Sequence, residues 1–163
     1  MAETDVRSRA LAVVGAFVLT LAYGLLLLAA FEPDVQEASA RELVARSDDA
    51  RSFLIADLFF PLIYGVLSPL AQWRFGRALA GGSPPGWIAA AALLLAGAAV
   101  CDWTENVLLL SATDRPSEGA VDAAHVVAWP KIVLFVAGAL LAIAVLVRAV
   151  RELRGSRSAA AAE

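Results

Sequence analysis

Four long apolar runs separated by short charged stretches leave this chain little choice of fold. They cover residues 11–31, 53–73, 87–110 and 126–147, and the first holds no charged side chain. A helix rising 1.5 Å per residue needs about 20 apolar residues to cross a hydrocarbon layer roughly 30 Å thick. Each run is that long. A chain of 163 residues that is 60% hydrophobic and 18% charged cannot bury four such segments in one globular core. The expected fold is therefore an all-α four-helix transmembrane bundle. It forms one domain over residues 1–154, followed by a frayed tail over 155–163. A soluble enzyme, a disordered chain and a disulfide scaffold are excluded.

The first run follows Arg7 and Arg9, as the apolar part of a signal peptide does. Its length exceeds such a segment, and Leu28-Ala29-Ala30 is a poor cleavage site, so a retained span is expected. Basic residues near span ends set orientation. Eight arginines flank one side (Arg7, Arg9, Arg74, Arg77, Arg148, Arg151, Arg154, Arg157) and four the other (Arg41, Arg46, Arg51, Arg115). Both termini are thus expected in the cytoplasm and the protein in the inner (plasma) membrane, with Trp73 and Trp87 together at the inner interface.

The remaining composition is restrictive in a negative sense. A formal net charge of −3 leaves no footprint for nucleic acid. The single cysteine, Cys101, has no thiol partner. Nucleotide loops, nucleophile elbows, haem pairs and lipid-attachment signals are absent, so no cofactor and no metal are expected. The run Gly81-Gly82-Ser83-Pro84-Pro85-Gly86 is a turn-rich connector. The first loop, 32–52, is acidic (Glu32, Asp34, Glu37, Glu42, Asp48, Asp49), and 35–45 is expected to form a short surface helix as a solvated cap.

Chemistry enters through polar residues inside the runs, where an ionisable group costs about 2.5–3.5 kcal/mol on insertion scales. In the second span Asp57, Pro61, Tyr64 and Ser68 recur at i, i+4, i+7 and i+11, one face of a helix. Proline at 61 also frees the carbonyl of Asp57. In the third, the motif Asp102-Trp103-Thr104-Glu105-Asn106 places both acids and the amide on one face. The fourth carries Lys131 and the first Tyr23. From the expected outer boundary, helix rise puts Asp57 roughly 6 Å deep, Glu105 and Asn106 about 6–8 Å, Lys131 roughly 7–8 Å, and Asp102 and Tyr23 about 12 Å. Four segments thus bring three carboxylates, an amine, an amide and a phenol to one slab in the outer half, and none to the inner half.

With Lys131 charged, the three acids leave a formal sum of −2, so a carboxyl must hold a proton or a cation must bind. Asp102 and Glu105, one turn apart, are the pair expected to share a proton. Glu105 and Asp57 then read as an acid/base pair with Asp102 as charge-setting neighbour. Asn106 and Tyr64 orient, Lys131 is the counter-ion, and Tyr23, Ser68 and Trp103 are further ligand contacts. Blander readings stand beside these. The charges would simply pin helices together, and Trp129-Pro130 would start the fourth helix, leaving Lys131 to snorkel to the surface. His125 reads as a solvated interfacial residue, and a metal set of Asp57, Asp102, Glu105 and His125 has suitable ligand types but no selecting spacing.

The pattern Asp57-x3-Pro61-x2-Tyr64-Gly65, then Asp102-x2-Glu105-Asn106, then Lys131 resembles a type of small bacterial four-span membrane protein. In span layout the chain is also similar to the EXPERA group, which includes emopamil-binding sterol isomerases. Asp57 ahead of Leu67-Ser68-Pro69-Leu70 and Asp102 in the third span carry that similarity. Thr20, Tyr23 and Gly24 stand where that group has acids and histidine in its first span. The resemblance implies a lipophilic-ligand pocket. Expected partners are thus a membrane lipid or lipophilic small molecule; Ala89–Ala92, Gly97 and Gly138 permit close helix approach and also allow a homodimer. Three roles follow as expectations: a proton-handling pocket for an amphiphilic or isoprenoid-like molecule, a proton-coupled transporter, or an assembly subunit.

Overall fold

The computed structural model describes residues 2–31 and 39–160. Those residues are all-helical, and four helical rods are long and apolar enough to cross a membrane. This is a multi-pass membrane protein by length and composition. The first rod is α1 (Ala2–Ala30). After a short cap helix, α2 (Ala40–Ala45), a second rod is assembled from α3 (Ser47–Asp57), α4 (Phe60–Leu62), a π-helical turn (Ile63–Leu67) and α5 (Ser68–Ala80). The third is α6 (Gly86–Asp114), and the fourth is α7 (Glu118–Ala160).

Local chemistry sets the ends. Ser39 caps α2 in a reciprocal box: its hydroxyl accepts from the Glu42 N–H while the Glu42 carboxylate accepts from the Ser39 N–H. Gly81 closes α5 in the left-handed region at φ 67°, which only glycine enters without strain. Pro116 forces Arg115 into extended backbone (φ −143°, ψ 126°), and α6 stops there.

Helix bounds and continuity differ from the expectation in places. The fourth helix does not start at Trp129-Pro130. It begins at Glu118, and Pro130 lies inside it. The second rod is not one straight helix. Pro61 and Pro69 each lack the N–H that would bond the carbonyl four residues back, so the ladder breaks at Leu58–Phe59 and widens at 63–67. There the Ser68 N–H reaches back five residues to the Ile63 carbonyl. Of the first loop, α2 realises the C-terminal part of the expected surface helix, while Glu32, Asp34, Val35 and Glu37 lie outside the described residues. Beyond residue 154, α7 runs on as far as Ala160, and 161–163 lie outside the described residues.

Packing is organised in layers along the bundle. At one end, Phe53 and Leu54 of α3 meet Leu109 and Ala112 of α6, Val121 and Ala124 of α7, and Leu43 of α2. In the middle, Tyr64 packs on Leu95, Ala98, Ala99 and Ala142. At the other end Ala10 and Val13 of α1 join Phe75, Ile88, Ala91, Val145 and Ala149. Close approach is enforced at Gly65, where any Cβ would collide with the Ala99 side chain. Leu25, Leu93, Val100, Trp129 and Val133 turn outward, each at least 60% exposed. In water that surface would drive aggregation, and in hydrocarbon it is the expected lipid face.

Candidate functional site

Between the first and the middle packing layer the bundle is polar. Asp57, Asp102, Glu105 and Asn106 are all buried there, each 5% exposed or less. Lys131 of α7 turns inward with 16% of its side chain exposed, not outward to snorkel. Its ammonium lies 2.5 Å from Glu105 Oε2 and 3.3 Å from Asp102 Oδ1. The first approach is not aligned as a hydrogen bond and acts as a charge pair. The expected proton-sharing pair on α6 is thus bridged by a cation. Asp102 Oδ2 also accepts from the Tyr64 hydroxyl at 2.9 Å.

Asp57 is treated differently. Its Oδ2 accepts from Asn106 Nδ2 at 2.9 Å, and no cation stands within ion-pairing distance of it among the described residues. The other end of that amide, Asn106 Oδ1, is buried without a donor. A carboxamide and a carboxyl group facing each other suit either protonation state. The N–H donates to a carboxylate, and after a flip of the amide its oxygen accepts from a carboxylic acid.

A cavity of about 240 Å³ opens beside these groups, lined by Asp57, Phe60, Tyr64, Asp102, Lys131, Ile132 and Phe135. Its aromatic wall is interlocked: Phe60 and Tyr64 lie 5.0 Å apart, and Phe135 meets Tyr64 edge-on at 5.1 Å. Half of Ile132 is exposed on the outer face of α7, so the cavity opens on the flank of the bundle. Such a volume falls below the roughly 300–1,000 Å³ of pockets that swallow a drug-sized ligand. It suits the end of a molecule whose remainder lies outside.

Of the residues singled out in the sequence, the structure brings Asp57, Tyr64, Asp102, Glu105, Asn106 and Lys131 into one cluster. Glu105 and Asn106 stand behind the cavity wall and do not line it. Three others are placed elsewhere. The Tyr23 hydroxyl donates to the Ala56 carbonyl at 2.8 Å, and the Trp103 indole donates to the Leu58 carbonyl at 2.9 Å. Both serve backbone at the break in the second rod. Ser68 accepts from Gln72 Nε2 at 3.0 Å, away from the acids. His125 is exposed on α7, and no three metal-ligating side chains converge among the described residues.

Sequence reasoning missed the apolar walls Phe60 and Phe135. Their spacing was available, three residues after Asp57 and four after Lys131. It also missed Gln72, an amide 2% exposed whose Oε1 has no donor, which extends the polar stripe beyond the slab. Comparison with protein-family models, curated proteins and solved structures finds no match to this chain.

Proposed function

We propose that this chain is a plasma-membrane protein with both termini in the cytoplasm, whose polar cluster sits in the outer half of the bundle. There it binds the polar end of an amphiphilic or isoprenoid-like molecule and handles a proton at Asp57. One observation carries this: the only buried acid of the cluster without a cation, among the described residues, faces a laterally open cavity with aromatic walls. A carboxyl there accepts a hydrogen bond from a hydroxyl or amine, and the tail leaves past Ile132 into lipid. Lys131 pairs with Asp102 and holds it in place on the far wall. The span layout shared with the EXPERA group agrees with a lipophilic ligand.

The test uses farnesol, an isoprenoid alcohol, titrated into reconstituted protein with tryptophan fluorescence as the readout. Losing a hydrogen bond to a charged group is worth about 1.5–3 kcal/mol, so Asp57→Ala should weaken binding by roughly ten- to a hundredfold. Ile132→Trp, which blocks the opening, should also abolish saturation. Equal binding by wild type and both variants overturns the proposal.

The Lys131 ion pairs favour a second reading, in which the cluster only holds helices together. Exchanging Glu105 and Lys131 would then restore the stability lost in either single variant, and farnesol would not bind the wild type.

A further inference from the structure

A separate groove runs between α1 and the second rod, lined there by the end of the π turn and by α5, beyond Asp57 along that rod. It encloses about 550 Å³ and is floored by Ala12, Gly15 and Ala16, with Leu67 and Leu70 opposite. Polar side chains gather at one end only, where Arg9 and Arg74 reach the groove from different helices. Arg9 is fixed there: its Nη1 donates to the Arg74 carbonyl at 3.2 Å and its Nε pairs with Asp5 at 2.7 Å. No carboxylate pairs with the Arg74 guanidinium among the described residues, so the mouth carries a net positive charge.

The dimensions match one leaflet. From Arg9 to Leu19 is ten residues, roughly 15 Å of helix, and half of a hydrocarbon core roughly 30 Å thick is the same length. A groove of that depth, apolar along its floor and cationic at its membrane-surface end, has the shape and charge to take a phospholipid. We infer that it is a binding site for an anionic phospholipid, with the phosphate on Arg9 and Arg74 and an acyl chain over Gly15. A second copy of this chain is the poorer occupant. A two-fold pairing on this face would bring four arginines to the same depth, and like charges at a contact oppose association.

Native mass spectrometry of the full chain, offered equal phosphatidylglycerol and phosphatidylcholine, tests the site. Wild type should retain phosphatidylglycerol about tenfold better. Arg74→Gln should erase that preference while leaving the Arg9 bond to the Arg74 backbone intact, and Arg74→Lys should restore most of it. Gly15→Leu should remove retention of both lipids, because its Cβ enters open space and the rest of the side chain fills the groove. Equal retention of the two lipids by wild type overturns the inference, as does a preference that survives Arg74→Gln. A dimer lost in Gly15→Leu without bound lipid would assign the groove to a second copy instead.

Discussion

Replacing Lys131 with methionine removes the cation of the cluster and little of its volume, leaving Asp102 and Glu105 buried with no counter-charge. Breaking a buried pair from one side costs about 3–5 kcal/mol. The structure offers a way to limit that loss. One carboxyl can take up a proton, and the other is Asp102, which still accepts from Tyr64. Protonating an ordinary glutamic acid costs about 4 kcal/mol at pH 7 and about 1 kcal/mol at pH 5. Destabilisation should therefore be near 4 kcal/mol at neutral pH and shrink to about 1 kcal/mol in acid.

The sign follows from proton counting. Folded Lys131→Met holds one proton more than its unfolded form at pH 7, so its stability falls as pH rises. Unfolding by sodium dodecyl sulfate in mixed micelles, read from the four tryptophans, gives the difference from wild type at each pH. Taking the difference cancels groups common to both proteins. Adding Glu105→Gln removes the surplus acid and should recover most of the loss at pH 7. A deficit equal at both pH values, or one that the second substitution does not repair, would refute the charge balance described above.

Gly65→Ala should destabilise by about 1–3 kcal/mol through collision with Ala99, and Ala99→Gly should relieve it in the same unfolding assay. Trp103→Phe deletes the indole bond to the Leu58 carbonyl and should cost about 0.5–1.5 kcal/mol, seen as faster amide exchange around the break. The Glu42 carboxyl is held below the usual carboxylate range by the Ser39 N–H and hydroxyl. The stabilisation it gives α2 is complete above the ordinary value of 4.5 and is lost as pH falls through the depressed one. Protection of Ala40–Ala45 amides should drop accordingly on acidification, and no longer so in Glu42→Ala.

The four rods were legible because a hydrocarbon solvent reduces the problem to run length, and each run exceeded the width to be crossed. The membership of the cluster was legible too. Asp102, Glu105 and Asn106 share a face of an unbroken helix, so spacing alone fixes their direction. What spacing could not give was pairing. Lys131 stands beside Pro130, which reads equally as a helix start or an interior residue; α7 extends back to Glu118, and the amine turns inward to Asp102 and Glu105. Polar atoms in a span invite a ligand-contact reading, and spacing says nothing of the backbone bonds that Tyr23 and Trp103 make. Their partners are backbone carbonyls at 56 and 58, visible only once the second rod is seen to break. The two prolines announced a disturbance, and which side chains would satisfy it depended on neighbours far away in sequence.

That break also bears on whether the cluster is more than a set of helix ties. Ties alone are served best by spreading the one ammonium over the acids that most need it and closing the space between them. Here the ammonium serves two acids on α6, while Asp57, at the end of α3, is left with an amide and an open volume. The wall carrying Asp57 joins the rest of its rod through the turn at Leu58–Phe59 and the π turn, and Tyr23 and Trp103 hold it from outside. A wide turn of this kind gives up regular hydrogen bonding and is frequent at functional sites. An acid without an ion-pair partner, a cavity and an interrupted helix lie at one level, and the proposed entry of a ligand from the side rests on that coincidence.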